Sequence, residues 1–304
     1  MESRITLKRG SESNHEGQII VCQGTGCLSH NSPAIRAALE VEIARAGLIE
    51  HWRVKSGGCF GFCEQGPIVI VEPEGILYVG VKVEDVPEVV WLHLLDGKPL
   101  ERLFYIDPVT QRPIAHYREI DFYRHQHRIV LRHCGYINPE DIDDYLEVGG
   151  YQALRKAALE MTPNEVIAEI KRAGLRGRGG AGFSTGVKWE ACRKSLGARK
   201  YVIANGNESS PGAFMDRTLM EADPHSVLEG MLIAGYAIGA CEGYIQVSTE
   251  YPLAVERLRI AIAQAEEHRF IGDGILGSNF DFRIHIREGA GTFICGEETS
   301  VITS

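Results

Sequence analysis

Four cysteines in the first quarter of the chain have the types and spacing of ligands to an inorganic centre. Cys22 and Cys27 flank Gln-Gly-Thr-Gly, and Cys59 and Cys63 flank Phe-Gly-Phe. Each pair lies in a glycine-rich turn, which allows two thiolates to converge on one point. Thiolates bind soft metals and iron–sulfur clusters. The spacing therefore predicts a metal or cluster site and a redox role.

The spacing alone leaves two identities open for this centre. A [2Fe–2S] cluster takes four thiolates, which two loops with two cysteines each supply. Structural zinc also binds two pairs of cysteines, and both gaps fall inside the range that zinc sites use. A dithiol redox motif is disfavoured because the sequence contains no Cys-x-x-Cys. The other four cysteines are scattered and are expected to be small buried apolar residues.

A second candidate site is the glycine-rich segment Gly174-Leu-Arg-Gly-Arg-Gly-Gly-Ala-Gly-Phe183, with Lys188 nearby. Glycine lets backbone amides close on a phosphate, and the cations neutralise it. A predicted helix precedes the segment, unlike the dinucleotide fingerprint, and the Walker Lys-Ser/Thr ending is absent. Taken alone, the segment is explained equally well as a flexible arginine–glycine loop.

The elements that must position these residues form two α/β domains behind a polar tail, 1–16. Residues 17–98 have the order β-α-β-β-β-α that a thioredoxin-like sheet needs. Residues 99–127 are a connector too apolar to stay solvated, so an extended arm packed on a neighbouring surface is expected. In residues 128–304 strands alternate with helices, which indicates a mostly parallel sheet.

Polar segments follow two predicted strands of the second domain. Ala204 to Gly212 follows one strand, and Gly289 to Thr299 follows another. In open α/β sheets, ligands bind at the carboxyl ends of the strands. Both segments are therefore candidates for ligand binding.

Composition excludes several classes of function. The chain has 304 residues, 44% of them hydrophobic, and a formal net charge of -9. The acidic balance argues against a nucleic-acid partner. The sequence shows no secretory signal and no apolar run of bilayer length, so direct membrane insertion is not expected. Eight cysteines without a signal favour reduced thiols and a cytoplasmic location.

The cysteine segments resemble a known family of domains. Cys22-Gln-Gly-Thr-Gly-Cys27 and Gly57-Gly-Cys-Phe-Gly-Phe-Cys-Glu-Gln-Gly-Pro67 are similar to the thioredoxin-like [2Fe–2S] domain of the small flavoprotein-partner subunit of complex I. They resemble more closely the same domain fused to the beta subunit of NAD-linked, often electron-bifurcating, hydrogenases. The resemblance implies a [2Fe–2S] cluster instead of zinc, held by all four cysteines.

The three segments of the second domain resemble the NADH- and FMN-binding subunit of complex I and its hydrogenase and formate dehydrogenase relatives. The implied FMN contacts are the loop residues Gly177, Arg178, Gly179 and Gly180, the ribityl and phosphate contacts Asn205, Asn207, Glu208 and Ser209, and the flavin border Gly296, Glu297 and Glu298. Lys188 would contact flavin or nucleotide, Phe183 would face the adenine of NAD(H), and Glu298 would also orient the nicotinamide. No acid–base or nucleophilic residue is implied.

The sequence departs from the family pattern at several positions. Asn207 and Ser210 stand where acids are common, and Phe293 stands where tyrosine is frequent. These changes imply a raised flavin potential or weaker binding. The chain ends at Ser304, where relatives continue with a β-rich domain and a helical [4Fe–4S] domain, so a C-terminally truncated chain is expected.

The resemblance implies an NAD(H):acceptor oxidoreductase subunit. Hydride would pass between NADH and FMN, and single electrons would reach iron–sulfur clusters of a larger complex. The implied partners are other subunits of that complex, of the hydrogenase type or a small [2Fe–2S] subunit. Two alternatives are a non-catalytic cluster-bearing electron-transfer or scaffold subunit without flavin, and a nucleotide-binding regulatory module.

Overall fold

The structure is a computed structural model that describes residues 15–197, 199–208, 210, 212–289 and 298–303, with the side chains of 298 and 303 left out. It divides into two compact units, 1–139 and 140–304. The domain limits expected from the sequence stay a prediction.

The first unit is built on a four-stranded sheet in the order β2-β1-β3-β4. Strands β1 and β2 are parallel, whereas β3 pairs antiparallel with both β1 and β4. The elements are β1 (Gly17–Cys22), α1 (Thr25–Leu28), α2 (Ser32–Arg45), β2 (Trp52–Gly57), β3 (Val69–Glu72), β4 (Ile76–Tyr78) and α3 (Val86–Glu88), which continues as a π-helix (Val89–Leu95). This order confirms the predicted thioredoxin-like sheet.

Strand β1 is buried on both faces, which explains its unbroken apolar sequence. Ile19 and Val21 face the cluster that contains the apolar stripe of α2. Ile20 and Cys22 face a second buried cluster on the other side of the sheet. Because successive side chains of a strand point to opposite faces, Cys22, the first candidate ligand, lies in this second buried cluster.

The segment predicted as a connector packs on the first unit. It contains β5 (Tyr105–Ile106), β6 (Pro113–Ile114) and α4 (Asp121–Arg124). The Leu77 N–H donates to the carbonyl of Ala115 at 2.8 Å. Tyr117 and Tyr123 belong to the same buried cluster as Cys22. The segment thus lies against the side of the sheet that carries the cysteine.

The second unit is built on a three-stranded parallel sheet in the order β7-β8-β9. The predicted mixed α/β class with a mostly parallel sheet is confirmed. Its elements are α5 (Ile142–Glu147), α6 (Gln152–Glu160), α7 (Pro163–Arg172), α8 (Thr185–Lys194), β7 (Tyr201–Gly206), α9 (Met215–Ala222), α10 (Pro224–Ile238), β8 (Glu242–Ser248), α11 (Pro252–Glu267), β9 (Arg283–Gly289) and α12 (Glu298–Thr303).

A buried polar network joins the first helices of this unit to α10. The Glu229 carboxylate accepts hydrogen bonds from Tyr145 Oη at 2.6 Å, Tyr151 N at 2.9 Å and Leu154 N at 3.0 Å. Tyr151 Oη also lies 2.9 Å from His225 Nδ1. Such a network fixes α5 and α6 against the central helix, because any lost partner leaves a buried polar group unpaired. None of the helices within the described residues is both long and apolar enough to cross a membrane.

Candidate cofactor sites

The two cysteine loops leave the same edge of the first sheet. Cys22 ends β1 opposite Gly57 at the end of β2, because these strands are parallel. Cys27 follows in the short helix α1, and Cys59 and Cys63 lie in the loop after β2. Parallel pairing thus brings together four thiols that are far apart in the sequence.

The four cysteine side chains lie close enough to interact with one another. Cys22 interacts with Cys27 and with Cys59, and the Sγ atoms of Cys59 and Cys63 lie 3.5 Å apart. The contact with Cys27, and then burial, raises the pKa of Cys22 to about 12, and the contact with Cys22 raises the pKa of Cys59 to about 11. The contact between Cys22 and Cys27 lowers the pKa of Cys27. The Gly61 N–H also donates to Cys59 Sγ at 3.2 Å.

Glycine is required where the two loops meet. A Cβ atom at Gly24 would lie 2.8 Å from the Cβ of Cys59, and one at Gly26 would lie 3.0 Å from the Cβ of Cys63. Real Cβ atoms essentially never approach within 3.0 Å, so something must shift at Gly24, whereas at Gly26 the neighbour must move by a few tenths of an ångström. The small residues therefore allow the thiols to converge.

This arrangement fits a two-iron cluster. Cys22 interacts with Cys27 and Cys59, Cys59 contacts Cys63, and Cys27 is also close enough to Cys59 and Cys63 to interact with their charges. A [2Fe–2S] cluster distributes four thiolates over two irons, whereas zinc gathers them tetrahedrally around one. The two loops supply two thiols each, which matches the two ligands that each iron of such a cluster needs.

An aromatic shell encloses the second cysteine loop. The Phe62 ring packs 5.2 Å from Phe122 and 5.6 Å from Tyr123, and the Phe60 ring packs 5.6 Å from Tyr136. All three partners lie between 122 and 136. The sequence predicts that aromatic residues of this region pack on a surface, but it does not place Tyr123 beside the cysteines. No local spacing links residue 123 to Cys22.

The glycine-rich segment forms a loop between α7 and α8. The Gly177 N–H donates to the Phe183 carbonyl at 2.8 Å, and Arg176 Nε donates to the Gly182 carbonyl at 2.6 Å. These bonds close the base of the loop. Arg178 is exposed, and the Phe183 side chain is 54% exposed. The loop thus presents a cation and an aromatic ring to the exterior.

Two glycines of this loop face open space. No described atom lies within 4 Å of a Cβ built at Gly179 or at Gly180. Gly180 needs glycine for its φ of +107°, whereas the φ of Gly179 is not in the left-handed region. Nothing in the described chain therefore requires glycine at 179. A ligand that approaches the backbone closely would supply the reason. Lys188 is exposed one turn into α8.

Asn205 and Asn207 lie where β7 ends, at the carboxyl edge of the sheet. The Asn207 N–H donates to Asn205 Oδ1 at 3.2 Å. The Asn207 side chain is 5% exposed, and its Oδ1 and Nδ2 atoms are buried with no hydrogen-bond partner among the described residues. An unpaired buried amide costs about 1–3 kcal/mol. A polar ligand at this edge would pair it.

Glu208 has a defined role within the chain. Its carboxylate accepts hydrogen bonds from the backbone N–H groups of Met215 at 3.0 Å, Asp216 at 3.1 Å and Arg217 at 3.3 Å. Tyr251 Oη donates to the Glu208 carbonyl at 2.8 Å. The residue therefore anchors the first turn of α9 to the end of β7. Its contact with a cofactor stays a prediction.

The third polar segment leaves the sheet at the same edge. Gly289, the last residue of β9, pairs with Ser248 of β8. A Cβ at Gly289 would lie 2.2 Å from Gln246 Nε2, so a larger residue there would displace the end of the Gln246 side chain. The predicted positions Ser209, Gly296 and Glu297 lie outside the described residues, as does the side chain of Glu298, with which α12 begins.

Taken together, the two units define a cofactor-binding α/β protein with a cysteine-bearing thioredoxin-like unit. Residues 170–304 match the model of the Nuo51 FMN-binding domain.

Similar proteins were found by sequence and by structure. The chain is 52% identical over 179 residues to the HndC subunit of an NADP-reducing hydrogenase of Solidesulfovibrio fructosivorans, which covers 59% of this chain and 36% of that protein. It is 47% identical over 176 residues to an NADH-quinone oxidoreductase subunit of Rhizobium meliloti, covering 58% and 42%. The chain thus spans roughly two fifths of the length of these relatives.

A solved structure also matches part of the chain. The thioredoxin-like [2Fe–2S] ferredoxin from Aquifex aeolicus is 32% identical, with a TM-score of 0.28, over 29% of this chain and 95% of that protein. The fold of the first unit is established by its own strand order and pairing.

Proposed function

We propose that this chain is the flavoprotein subunit of an NAD(H):acceptor oxidoreductase, with hydride transfer between NADH and FMN followed by single-electron transfer to iron–sulfur clusters of a larger complex. One observation carries the proposal. The buried amide of Asn207, which has no partner among the described residues, lies at the carboxyl edge of a parallel sheet, inside the region that matches the Nuo51 FMN-binding domain model. That is where an α/β sheet binds its ligand.

The residues present fit FMN. The open backbone at Gly179 and Gly180 would approach the cofactor, and Arg178 would neutralise its phosphate. The two atoms of the Asn207 amide would pair with polar groups of the cofactor. When bound, FMN supplies the chemistry that converts a hydride into two single electrons. The protein binds and orients it.

The nicotinamide nucleotide would bind on the exposed side of the glycine-rich loop. Phe183 offers a largely exposed ring for stacking against an adenine, and Lys188 is an exposed cation on the following helix. In this proposal Ser209, Gly296, Glu297 and Glu298 complete the flavin and nicotinamide contacts. Residues of this chain that transfer protons are not required.

The first unit would hold a [2Fe–2S] cluster through Cys22, Cys27, Cys59 and Cys63. Three of these cysteines are buried, whereas Cys63 is exposed. A cluster with one ligand at the surface suits electron transfer to another protein. We therefore propose that the partners are other subunits of a multi-subunit redox complex, in keeping with the relatives named as hydrogenase and quinone oxidoreductase subunits. A cytoplasmic location, which suits free thiols, is part of the proposal.

Anaerobic purification with assays for flavin, iron and sulfide tests this function. The expected result is FMN with two irons per chain, and flavin absorbance that bleaches on addition of NADH or NADPH. A cluster without flavin would instead support an electron-transfer or scaffold subunit. Zinc without iron would contradict the cluster assignment.

A substitution at Asn207 tests whether its buried amide contacts FMN. Asn207→Leu removes two unpaired polar atoms, so the flavin-free chain should be at least as stable as the parent, while its affinity for FMN falls tenfold or more. The control is Asn279→Leu, which changes an exposed amide in the same unit. Unchanged FMN affinity in Asn207→Leu would contradict the proposed site.

A further inference from the structure

The hydroxyl group of Tyr123 is buried beside the cysteine loops without a partner. The residue is 8% exposed, and its Oη atom has no hydrogen-bond partner within the described residues. Its ring packs edge-on to Phe62, 5.6 Å away, and belongs to the same buried cluster as Cys22 and Cys27. Buried tyrosine hydroxyls usually find a partner, and leaving one unpaired costs about 1–3 kcal/mol.

Sulfur atoms are the candidate acceptors, because Tyr123 shares a buried cluster with Cys22 and Cys27 and its ring packs on Phe62, which precedes Cys63. Burial, only partly opposed by the Arg128 charge, raises the pKa of Tyr123 well above its usual value. The hydroxyl therefore stays protonated and is able to donate a hydrogen bond.

Arg128 and Tyr136, whose charges act on Tyr123, are paired with other groups. Arg128 donates to the Cys134 carbonyl at 3.3 Å and to Tyr136 Oη at 3.0 Å. Tyr136 Oη donates in turn to Tyr117 Oη at 3.2 Å. These bonds form a chain of donors and acceptors that does not include the Tyr123 hydroxyl.

We propose that Tyr123 donates an O–H···S hydrogen bond to a sulfur of the iron–sulfur centre and thereby raises its reduction potential. The proposal rests on the proposed function, since it requires a cluster on the four cysteines. Reduction adds one negative charge to the cluster, so a hydrogen-bond donor stabilises the reduced form more than the oxidised form. Tyr123 is then a positioning and tuning residue, supplied by the segment that packs on the cysteine side of the sheet.

The test compares Tyr123→Phe with Tyr105→Phe in the full chain. Both substitutions remove a hydroxyl from a ring packed on Phe62, at 5.6 Å and 5.1 Å. The charges that act on Tyr105 are those of Asp107, Glu64 and Asp121, none of them a cysteine. The cluster midpoint is measured by a redox titration followed by electron paramagnetic resonance.

Tyr123→Phe should shift the midpoint potential to a more negative value. At a fixed potential, the ratio of reduced to oxidised cluster should then fall by up to tenfold. For a one-electron couple a tenfold change is about 59 mV. Tyr105→Phe should leave the midpoint unchanged. Equal midpoints in the parent and Tyr123→Phe would overturn the proposal, as would an equal shift in Tyr105→Phe.

A second measurement covers the case in which Tyr123→Phe does not assemble a cluster. Site-specific 3-fluorotyrosine at 123 keeps the ring and makes the hydroxyl more acidic, hence a stronger donor, so the midpoint should rise. A midpoint that does not move refutes the hydrogen bond. A parent protein that contains zinc or no cluster refutes the proposed cluster instead, so the two failures are distinguishable.

Discussion

Glu208 Oε2 accepts a hydrogen bond from the backbone N–H of Asp216 at 3.1 Å, at the first turn of α9. The same carboxylate binds the N–H groups of Met215 and Arg217. A helix leaves its first N–H groups without internal partners, and a carboxylate there also interacts favourably with the helix dipole. Burial, and then the nearby Glu208 charge, raises the pKa of Asp216. Glu208 thus fixes the loop at the sheet edge whatever else it binds.

Removing this cap should destabilise the second unit before any cofactor is considered. Glu208→Ala should lower the free energy of unfolding of flavin-free protein by about 1–2 kcal/mol, because three N–H groups lose their acceptor. Glu208→Gln keeps one acceptor oxygen and should lose less. Urea unfolding measures both, with Glu266→Ala on the exposed face of α11 as the control. If Glu208→Ala and the control had the same free energy of unfolding, the cap would not contribute to stability.

Adjacent glycines of the arginine–glycine loop should respond differently to alanine. Gly180→Ala forces a side chain into a φ of +107° and should destabilise the flavin-free chain by about 1–2 kcal/mol. Gly179→Ala meets open space and ordinary φ, so the flavin-free chain should keep its stability. FMN affinity should nevertheless fall, because the cofactor would occupy that space.

Thermal unfolding without flavin and fluorescence titration with FMN separate these two effects. Wild-type FMN affinity in Gly179→Ala would show that the cofactor does not approach this part of the backbone.

The close approach of the cysteine loops should make cluster content sensitive to one methyl group. In Gly24→Ala the added Cβ would lie 2.8 Å from the Cβ of Cys59. The loops must separate, so iron and sulfide per chain should fall severalfold. Gly230→Ala, in α10 with no atom within 4 Å of the added Cβ, serves as the control and should match the parent. Full iron content in Gly24→Ala would mean that the loops move apart without loss of the cluster.

The sequence predicts those features that depend on local pattern. Glycine-flanked cysteines and the alternation of strands with helices are sufficient to predict both sheets, and the structure confirms the fold class. The sequence does not predict helices α8 and α9, and neither helix begins with a side-chain cap. Ser184 precedes α8 but makes no capping hydrogen bond, and Phe214, which precedes α9, has no side chain that could make one. The cap of α9 comes from Glu208, seven residues before the helix, and helix-start patterns look only at adjacent positions.

The sequence also does not predict which side chains are buried by contacts between distant parts of the chain. The resemblance implies that Asn207 contacts a cofactor, but that its amide is buried and unpaired depends on the packing of β7. Likewise, Tyr123 reaches the cysteines only because the segment after β4 folds back onto the sheet. The burial of the Asn207 amide and the position of Tyr123 both arise from tertiary contacts. Neither therefore corresponds to a periodic pattern or a motif in the sequence.

His225 should make the stability of the second unit depend on pH. Burial lowers its pKa to about 4, with a neutral ring held between Tyr151 Oη at 2.9 Å and Gln264 Oε1 at 3.1 Å. Asp223 opposes this shift, and His268 reinforces it. The unfolded chain binds a proton near pH 6.5, but the folded chain does so only near pH 4. The free energy of unfolding should therefore fall as pH decreases through this window, by about 3 kcal/mol in total.

His225→Gln removes this titration, so its stability should change less steeply between pH 6.5 and 4 than that of the parent. The slopes should differ by about one bound proton, since the remaining groups are common to both proteins. Urea unfolding at several pH values, with the cluster and flavin content matched, measures the difference. At pH 7 the variant loses the bond to Tyr151 or Gln264 and should be the less stable protein, while toward pH 4 the two curves converge. Parallel curves across the whole window would show that His225 titrates normally in the folded chain and that its burial has no electrostatic cost.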